Sequence, residues 1–257
     1  MHLKTIYEII DGLAPFALSK EQCERFEHYD NSGILLDCGG EITKILFSLD
    51  LSSRAVEEAK KAGANCIVTH HPAIFSPLHS LTEKEGKNIL ACARAGISVI
   101  SAHLNLDCAP EGIDESLMQG LGGKEALAIC EELSQGGYGR VYEVEEASFE
   151  SFVEKVKKTF SAERVISYGE KPVKKVASFC GGGFDEKTLA FALEKGADTF
   201  VSSDGKHHLI LEAVEKGLNV VLLTHYAAEN YGFYRFFETM KEKTGLPCVF
   251  FTDKRFI

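Results

Sequence analysis

The chain has 257 residues, of which 45% are hydrophobic and 26% charged, and it carries a formal net charge of −10. This composition is typical of a globular protein and disfavours nucleic-acid binding, because contacts to a phosphate backbone need clustered Lys and Arg. No apolar stretch approaches the roughly 18 residues of a membrane span, and the N-terminal segment lacks the apolar core of a secretory signal. We therefore expect a cytoplasmic protein that is neither secreted nor inserted in a membrane.

The eight cysteines are scattered along the chain without a C-x-x-C motif. A chain of this length can bury a core large enough to fold without disulfide bonds. We expect the cysteines to be reduced and to lie mostly in the core.

The first predicted element is a helix over residues 5–17, where apolar residues recur at helical spacing. From Lys44 onward the pattern becomes regular. It predicts, in order, a strand, a helix, a strand, a helix and a strand, at residues 45–49, 54–62, 67–69, 83–95 and 97–102. Successive β-α-β units are typical of a mostly parallel sheet.

The same order of elements recurs in the second part of the chain. It predicts strands at 175–180, 198–202 and 218–223, separated by helices at 186–194 and 209–216. The sequence also repeats, since the stretch GANCIVT at 63–69 corresponds to GADTFVS at 196–202.

This internal duplication predicts two related α/β domains with mostly parallel or mixed sheets. We place them at residues 1–128 and 129–257, joined by a glycine-containing loop or linker near 124–140, with the functional site in the cleft between them.

A pair of adjacent histidines, His70 and His71, follows the apolar strand at 67–69 and precedes Pro72. Because a proline disfavours helical backbone at the preceding residue, both histidines should lie at the C-terminal end of the strand. Ligands bind at that edge of open α/β sheets. An isolated histidine pair is more often a solvated loop or a structural feature, so it does not by itself establish a metal site.

The third strand of each repeat leads to a histidine followed four residues later by a carboxylate. These pairs are His103 with Asp107 and His225 with Glu229. Imidazole and carboxylate donors without thiolate suit Zn, Mn, Fe, Co or Ni. The predicted ligands of two divalent ions are therefore His70, His71, Asp107, His225 and Glu229. A simpler interpretation of His225 and Glu229 is an i,i+4 pair on a helix face.

Three further groups lie at predicted strand ends. Asp204, His207 and His208 could orient ligands or contact a substrate, or they could begin a helix with Asp204 as its cap. The run Gly181-Gly182-Gly183 is a weak signal for phosphate binding. Asp30 and Asn31 could hold a turn or reach the site, and turn formation is the default interpretation.

Together, five motifs make the whole chain resemble the Nif-three-like dinuclear-metal-centre family, also called GTP cyclohydrolase I type II homologues. They are YDNSG at 29–33, THHP at 69–72, HLNLD at 103–107, SDGKHH at 203–208 and HYAAE at 225–229. The resemblance implies two metal ions per subunit, held by the five residues above, with His103 close by, and a toroidal homohexamer. The chain departs from the family at Tyr29, where Trp is usual, and at Thr224, where Gly is common.

The first functional hypothesis is a metal-dependent hydrolase of a nucleotide-like or phosphorylated small molecule, with GTP ring opening suggested by the family label. His103 and His208 would transfer protons. The alternative is a metal-binding or regulatory hexamer without turnover that acts through protein or DNA interaction. A third interpretation is a closed structural metal site.

Overall fold

The computed structural model describes all residues, 1–257, as ten α-helices and eleven β-strands. The helices are α1 (Leu3–Leu13), α2 (Phe16–Phe26), α3 (Ser53–Ala62), α4 (Lys87–Arg94), α5 (Leu104–Cys108), α6 (Ile113–Leu121), α7 (Phe149–Thr159), α8 (Glu186–Glu194), α9 (His207–Glu215) and α10 (His225–Thr244). The strands are β1 (Gly33–Leu36), β2 (Ile45–Ser48), β3 (Cys66–Thr69), β4 (Ser98–Ser101), β5 (Ala128–Glu132), β6 (Gly137–Ala147), β7 (Val165–Tyr168), β8 (Val173–Ser178), β9 (Thr199–Ser202), β10 (Asn219–Leu223) and β11 (Cys248–Phe251).

The chain forms two compact units. Unit 1 comprises Met1–Ala109 and Phe233–Asp253, and unit 2 comprises Pro110–Gly232 and Lys254–Ile257. The predicted boundary after residue 128 divides the chain by sequence alone. Contacts between residues divide the chain differently, because β11, near residue 250, pairs in parallel with β2 of unit 1.

Unit 1 contains a five-stranded sheet in the order β1-β4-β3-β2-β11. Strands β11, β2, β3 and β4 run parallel, and β1 is an antiparallel edge strand. The register aligns Ser48 with Thr69 and Thr69 with Ser101, so β2, β3 and β4 end at one edge. The residues that follow these strand ends, Asp50, His70 and His103, are thereby brought to the same edge of the sheet.

Unit 2 contains a six-stranded sheet in the order β5-β6-β8-β9-β10-β7. Its central strands β8, β9 and β10 are parallel, whereas β5, β6 and β7 pair antiparallel with their neighbours. The order β7-β10-β9-β8 repeats β1-β4-β3-β2 of unit 1, with the same strand directions. The prediction of two related α/β domains with mixed sheets is therefore confirmed.

The N-terminal helix is shorter than predicted. A single helix was expected over residues 5–17, but α1 ends at Leu13 and α2 begins at Phe16, with Pro15 as its N-cap. Pro15 lacks a backbone N–H and disfavours helical backbone at Ala14, which has φ −138° and ψ 83°. The apolar spacing continues across the break, and for this reason it suggested one helix.

The segment expected to be a linker is a β-hairpin. Strands β5 and β6 pair antiparallel, with Ile129 opposite Arg140 and Glu132 opposite Gly137. Gly136, in left-handed backbone with φ +67°, lies in the turn. The glycines that suggested a linker therefore form a tight connection between strands.

The core of unit 1 includes the aromatic side of α10. The buried ring of Phe47 on β2 lies 5.3 Å from the ring of Phe237, which in turn lies 5.2 Å from the ring of Phe250 on β11. Phe237 of α10 is thus part of the core of unit 1. Four of the cysteines are also buried: Cys66, Cys92, Cys108 and Cys180.

Of the ten helices, none has the length and apolar character that crossing a bilayer requires.

A buried ion pair joins α6 to the sheet of unit 2. Asp114 and Arg140 are both almost fully buried and are hydrogen-bonded to each other. Asp114 also accepts the backbone N–H of Gly139 at 3.0 Å and that of Cys180 at 3.1 Å. The carboxylate therefore fixes the backbone immediately before Gly181.

We predict that Asp114→Ala lowers the free energy of unfolding by about 3–5 kcal/mol, because it leaves the Arg140 charge and two backbone N–H groups buried without their acceptor. Chemical denaturation measures this. Glu154→Ala, which removes an exposed partner of Lys157, is the control and should change stability by less than about 1 kcal/mol. A similarly small effect of Asp114→Ala would contradict the prediction.

Candidate metal-binding site

His70 is fully buried at the end of β3. Its Nδ1 lies 2.9 Å from the carbonyl oxygen of Ala102, and its Nε2 lies 3.4 Å from Oδ1 of Asp107. A carbonyl oxygen can only accept, so the neutral ring carries its hydrogen on Nδ1 and has a lone pair on Nε2. That lone pair points toward a carboxylate, as expected if both groups share a cation.

His71 and His103 follow the same rule. Nδ1 of His71 lies 2.7 Å from Oδ1 of Asp50, and Nδ1 of His103 lies 2.8 Å from Oδ1 of Asp30. Each aspartate therefore offers an acceptor to Nδ1 of one ring. The ligand nitrogens of His70, His71 and His103 all lie within 4.8 Å of one another. The structure thus adds His103 to the candidate ligand atoms of unit 1.

In unit 2, His225 is the first residue of α10 and is held from two sides. Its Nδ1 lies 2.5 Å from Oδ2 of Asp204, and its Nε2 lies 3.1 Å from Oε1 of Glu229. His225 and Glu229 do form the i,i+4 pair of the simpler interpretation. Asp204 joins them from the loop after β9, so the cluster is more than a helix-surface pair.

Thr224, where the resembled family commonly has Gly, caps helix α10. Its hydroxyl accepts the backbone N–H of Ala227 at 3.1 Å and donates to the carbonyl oxygen of Phe256 at 2.7 Å. The threonine therefore anchors the first turn of the helix that carries His225.

Gly181 allows the backbone after β8 to approach the carboxylate of Glu229. A Cβ atom at this position would collide with Oε1 of Glu229 and lie 3.4 Å from the ring of His225. The backbone also has φ +57°, in the left-handed region. The following helix, α8, is capped by Asp185, which accepts the N–H of Thr188 at 2.8 Å. The glycine turn therefore borders the His225 cluster, while the helix start is already capped.

Asp204 is not a helix cap, because Lys206 is the N-cap residue of α9. Asp204 has φ +50° and contacts His225, as the orienting interpretation requires. His207 and His208 lie exposed in the first turn of α9 without a side-chain hydrogen bond or ion pair. Proton transfer by His208 stays a prediction.

Electrostatics differ between the two clusters. Burial lowers the pKa of His225, but hydrogen bonds and charge from Glu229 and Asp204 outweigh it and raise the pKa to about 9. Burial raises the pKa of Asp30, but hydrogen bonds from His103, Ser19 and Ser32 outweigh it and lower the pKa to about 2. Asp30 is therefore ionised at neutral pH.

These donor sets fit divalent metal ions. Four imidazoles have Nδ1 bound to an oxygen, the usual outer partner of a metal-binding histidine, and two carboxylates lie beside Nε2 atoms. Sequence reasoning missed Asp50, considered Gly181 only as part of a weak phosphate-binding signal, and ranked Asp30 as a turn residue. Asp50 could have been found from its place just after β2, at the edge that carries His70.

Comparison with known proteins gives one consistent result. The sequence profile of the family described as Duf34/NIF3 (NGG1p interacting factor 3) matches residues 1–255. A Methanocaldococcus jannaschii relative named GTP cyclohydrolase 1 type 2 homolog is 30% identical over 97% of this chain and 98% of its own. A relative of the same name from Clostridium perfringens is 29% identical over 99% and 97%.

Two solved structures have a fold similar to that of this chain. Staphylococcus aureus protein SA1388 is similar with a TM-score of 0.85 and 25% identity, covering 99% of this chain and 97% of that one. Reduced HcgD from Methanocaldococcus jannaschii has a TM-score of 0.82 and 30% identity, with 97% of each chain covered.

We predict that Glu229→Gln lowers the pKa of His225 in metal-free protein by about 1–3 pH units, because the amide no longer supplies negative charge beside Nε2. NMR titration of the His225 ring measures this. Glu212→Gln, which changes a partly exposed carboxylate on α9, is the control.

The corresponding pH dependence of stability has a definite sign. Because the pKa of His225 is raised above 6.5, its protonated ring stabilises the fold below that pH, and the contribution is lost as the pH rises through about 9. An unchanged pKa in Glu229→Gln would contradict the assigned cause.

Proposed function

Because the chain belongs to the Duf34/NIF3 family, we propose that it binds two divalent metal ions and uses them to hydrolyse a nucleotide-like or phosphorylated small molecule. The observation that supports this best is the group formed by His70, His71 and His103. Their ligand nitrogens lie within 4.8 Å of one another, and each ring has its Nδ1 bound to an oxygen. A purely structural histidine cluster has no need of three rings held in the same tautomer.

The number of donors supports two ions rather than one. A single zinc ion usually takes four ligands, and a hydrolytic zinc keeps one of those positions for water. The proposed ligands are five, with His103 beside them: His70, His71, Asp107, His225 and Glu229. The imidazole and carboxylate mixture suits Zn, Mn, Fe, Co or Ni.

Such ions would lower the pKa of a bound water and polarise a carbonyl or phosphoryl group. The chain itself would orient the reacting groups and move protons. His103 suits proton transfer, because ionised Asp30 holds Nδ1 and leaves Nε2 able to accept. The proposed second proton carrier is His208.

Two exposed aromatic rings support a nucleotide-like substrate. Tyr29 is 55% and Phe75 50% exposed, and their rings meet edge to face with centroids 5.3 Å apart. The ring of Phe75 also lies 6.5 Å from that of His103. Exposed aromatic faces beside reactive groups favour a planar base, which gains about 1–3 kcal/mol from stacking. The relatives' name, GTP cyclohydrolase 1 type 2 homolog, is consistent with such a substrate.

We predict two divalent ions per chain in the native protein and a loss of metal in His70→Ala and Glu229→Gln. Each variant removes a donor of the proposed set, and Glu229→Gln does so with almost no change of shape. Elemental analysis after dialysis measures the metal content. The controls are His79→Ala and Glu212→Gln, which alter an exposed histidine and a partly exposed glutamate. Fewer than one ion per wild-type chain would overturn the two-ion proposal.

We further predict that Tyr29→Ala and Phe75→Ala raise KM for a nucleotide substrate roughly 5- to 150-fold, corresponding to the loss of one stacking contact. Steady-state kinetics on nucleotides and on aliphatic phosphoesters provide the measurement. KM for the aliphatic phosphoesters should stay unchanged, as should KM for both classes in Tyr168→Ala, which alters an exposed tyrosine on β7. Equal effects on both classes would contradict base stacking.

One comparison favours a second function. A Saccharomyces cerevisiae relative, 28% identical over 77% of each chain, is named NGG1-interacting factor 3. On this alternative the chain is a metal-binding or regulatory hexamer that acts through protein or DNA interaction. Metal binding without turnover across nucleotides and phosphoesters would support it over the hydrolase.

A further inference from the structure

Asp30 makes more contacts than a turn residue needs. It lies between α2 and β1, and its side chain is only 1% exposed. Oδ1 lies 2.8 Å from Nδ1 of His103. Oδ2 accepts two hydroxyl groups, from Ser19 at 2.5 Å and from Ser32 at 2.6 Å. The carboxylate is therefore ionised and held in one orientation from both of its oxygens.

Ser32 also fixes the backbone that carries the His103 ring. The backbone N–H of His103 donates to the Ser32 hydroxyl at 3.0 Å, while that hydroxyl donates to Asp30. Ser32 thus contacts the backbone of His103 and the carboxylate that holds its ring. Ser19 supplies the other hydroxyl from helix α2. Because these contacts come from three different points of the chain, the ring can neither rotate nor exchange its nitrogens without breaking hydrogen bonds.

We propose that Asp30 is a positioning residue, which keeps His103 in the Nδ1–H tautomer so that Nε2 is directed toward His70 and His71, with Ser19 and Ser32 orienting the carboxylate. This rests on the proposed function in that Nε2 of His103 is given a role at the metal ions. The tautomer itself is a property of the chain alone. The tautomer depends on the acceptor beside Nδ1, because a ring nitrogen that faces an acceptor carries the hydrogen and leaves the other nitrogen unprotonated.

The experiment records the imidazole ¹⁵N resonances of metal-free protein at mildly alkaline pH, with the His103 signals assigned by their loss in His103→Gln. In the wild type we expect a protonated Nδ1 and an unprotonated Nε2. In Asp30→Ala we expect the Nε2–H tautomer to become populated, because no acceptor remains beside Nδ1. The matched control is Asp37→Ala, an exposed aspartate that accepts only the N–H of Gly39, and it should leave the His103 signals unchanged.

The proposal is overturned if His103 keeps its wild-type nitrogen signals in folded Asp30→Ala. Should that variant fail to fold, the same criterion applies to Asp30→Leu, which fills the space without offering an acceptor. A role in folding alone would change stability but leave the tautomer unaltered.

A second measurement, zinc affinity, tests the metal site separately from the tautomer of His103. We expect Asp30→Ala to lower it roughly 10-fold, the lower end of the usual cost of an outer-shell change, because His103 lies beside the five proposed ligands and is not one of them. If the wild-type chain bound no zinc, cobalt or manganese, the proposed function would fail, while the tautomer result would still decide the role of Asp30. If zinc affinity in Asp30→Ala equalled that of Asp37→Ala, the contribution of Asp30 to the metal site would be refuted.

Discussion

The arrangement of the candidate site depends on one interaction, a hydrogen bond from imidazole Nδ1 to an oxygen. His70 makes it to the carbonyl of Ala102, and His71, His103 and His225 make it to aspartates. Each bond fixes the direction of its ring, and in a neutral ring it also fixes the tautomer. The oxygens come from strand ends and loops, so the fold, rather than the histidines themselves, determines which nitrogen is offered to a ligand.

This dependence explains why the repeated strand order matters. In unit 1 the strands lie in the order β1-β4-β3-β2, and in unit 2 in the order β7-β10-β9-β8. In both sheets the first strand of this series is antiparallel to its neighbour and the other three are parallel. Their C-terminal ends supply both a histidine and its acceptor. In unit 1, Asp50 follows β2 and holds His71 after β3. In unit 2, Asp204 follows β9 and holds His225 after β10. Related topology has thus produced two histidine–aspartate pairs with different neighbours.

Much of this architecture could be predicted from the sequence, because the spacing of hydrophobic residues indicates helices and strands from neighbouring residues alone. Helix α8 was predicted to the residue, and α3 was predicted to within one residue. Strand-end histidines could be recognised for the same reason. The partners could not, since Asp30 reaches His103 across 73 residues and the contact depends on packing. The errors at Pro15 and in the β5–β6 hairpin arose where apolar spacing and glycine content each fit two structures.

The return of the chain to its first sheet has a consequence for how the protein is made. Strand β11 is residues Cys248–Phe251, and it pairs along the whole of β2, which forms near the beginning. During synthesis, β2 therefore has an unpaired edge until residues 248–251 have left the ribosome. Unit 1 cannot complete its sheet before the Pro110–Gly232 segment of unit 2 has been synthesised. A nascent chain stalled before β11 would expose that edge to pairing with other strands, so the emergence of β11 decides whether the first sheet is protected from aggregation.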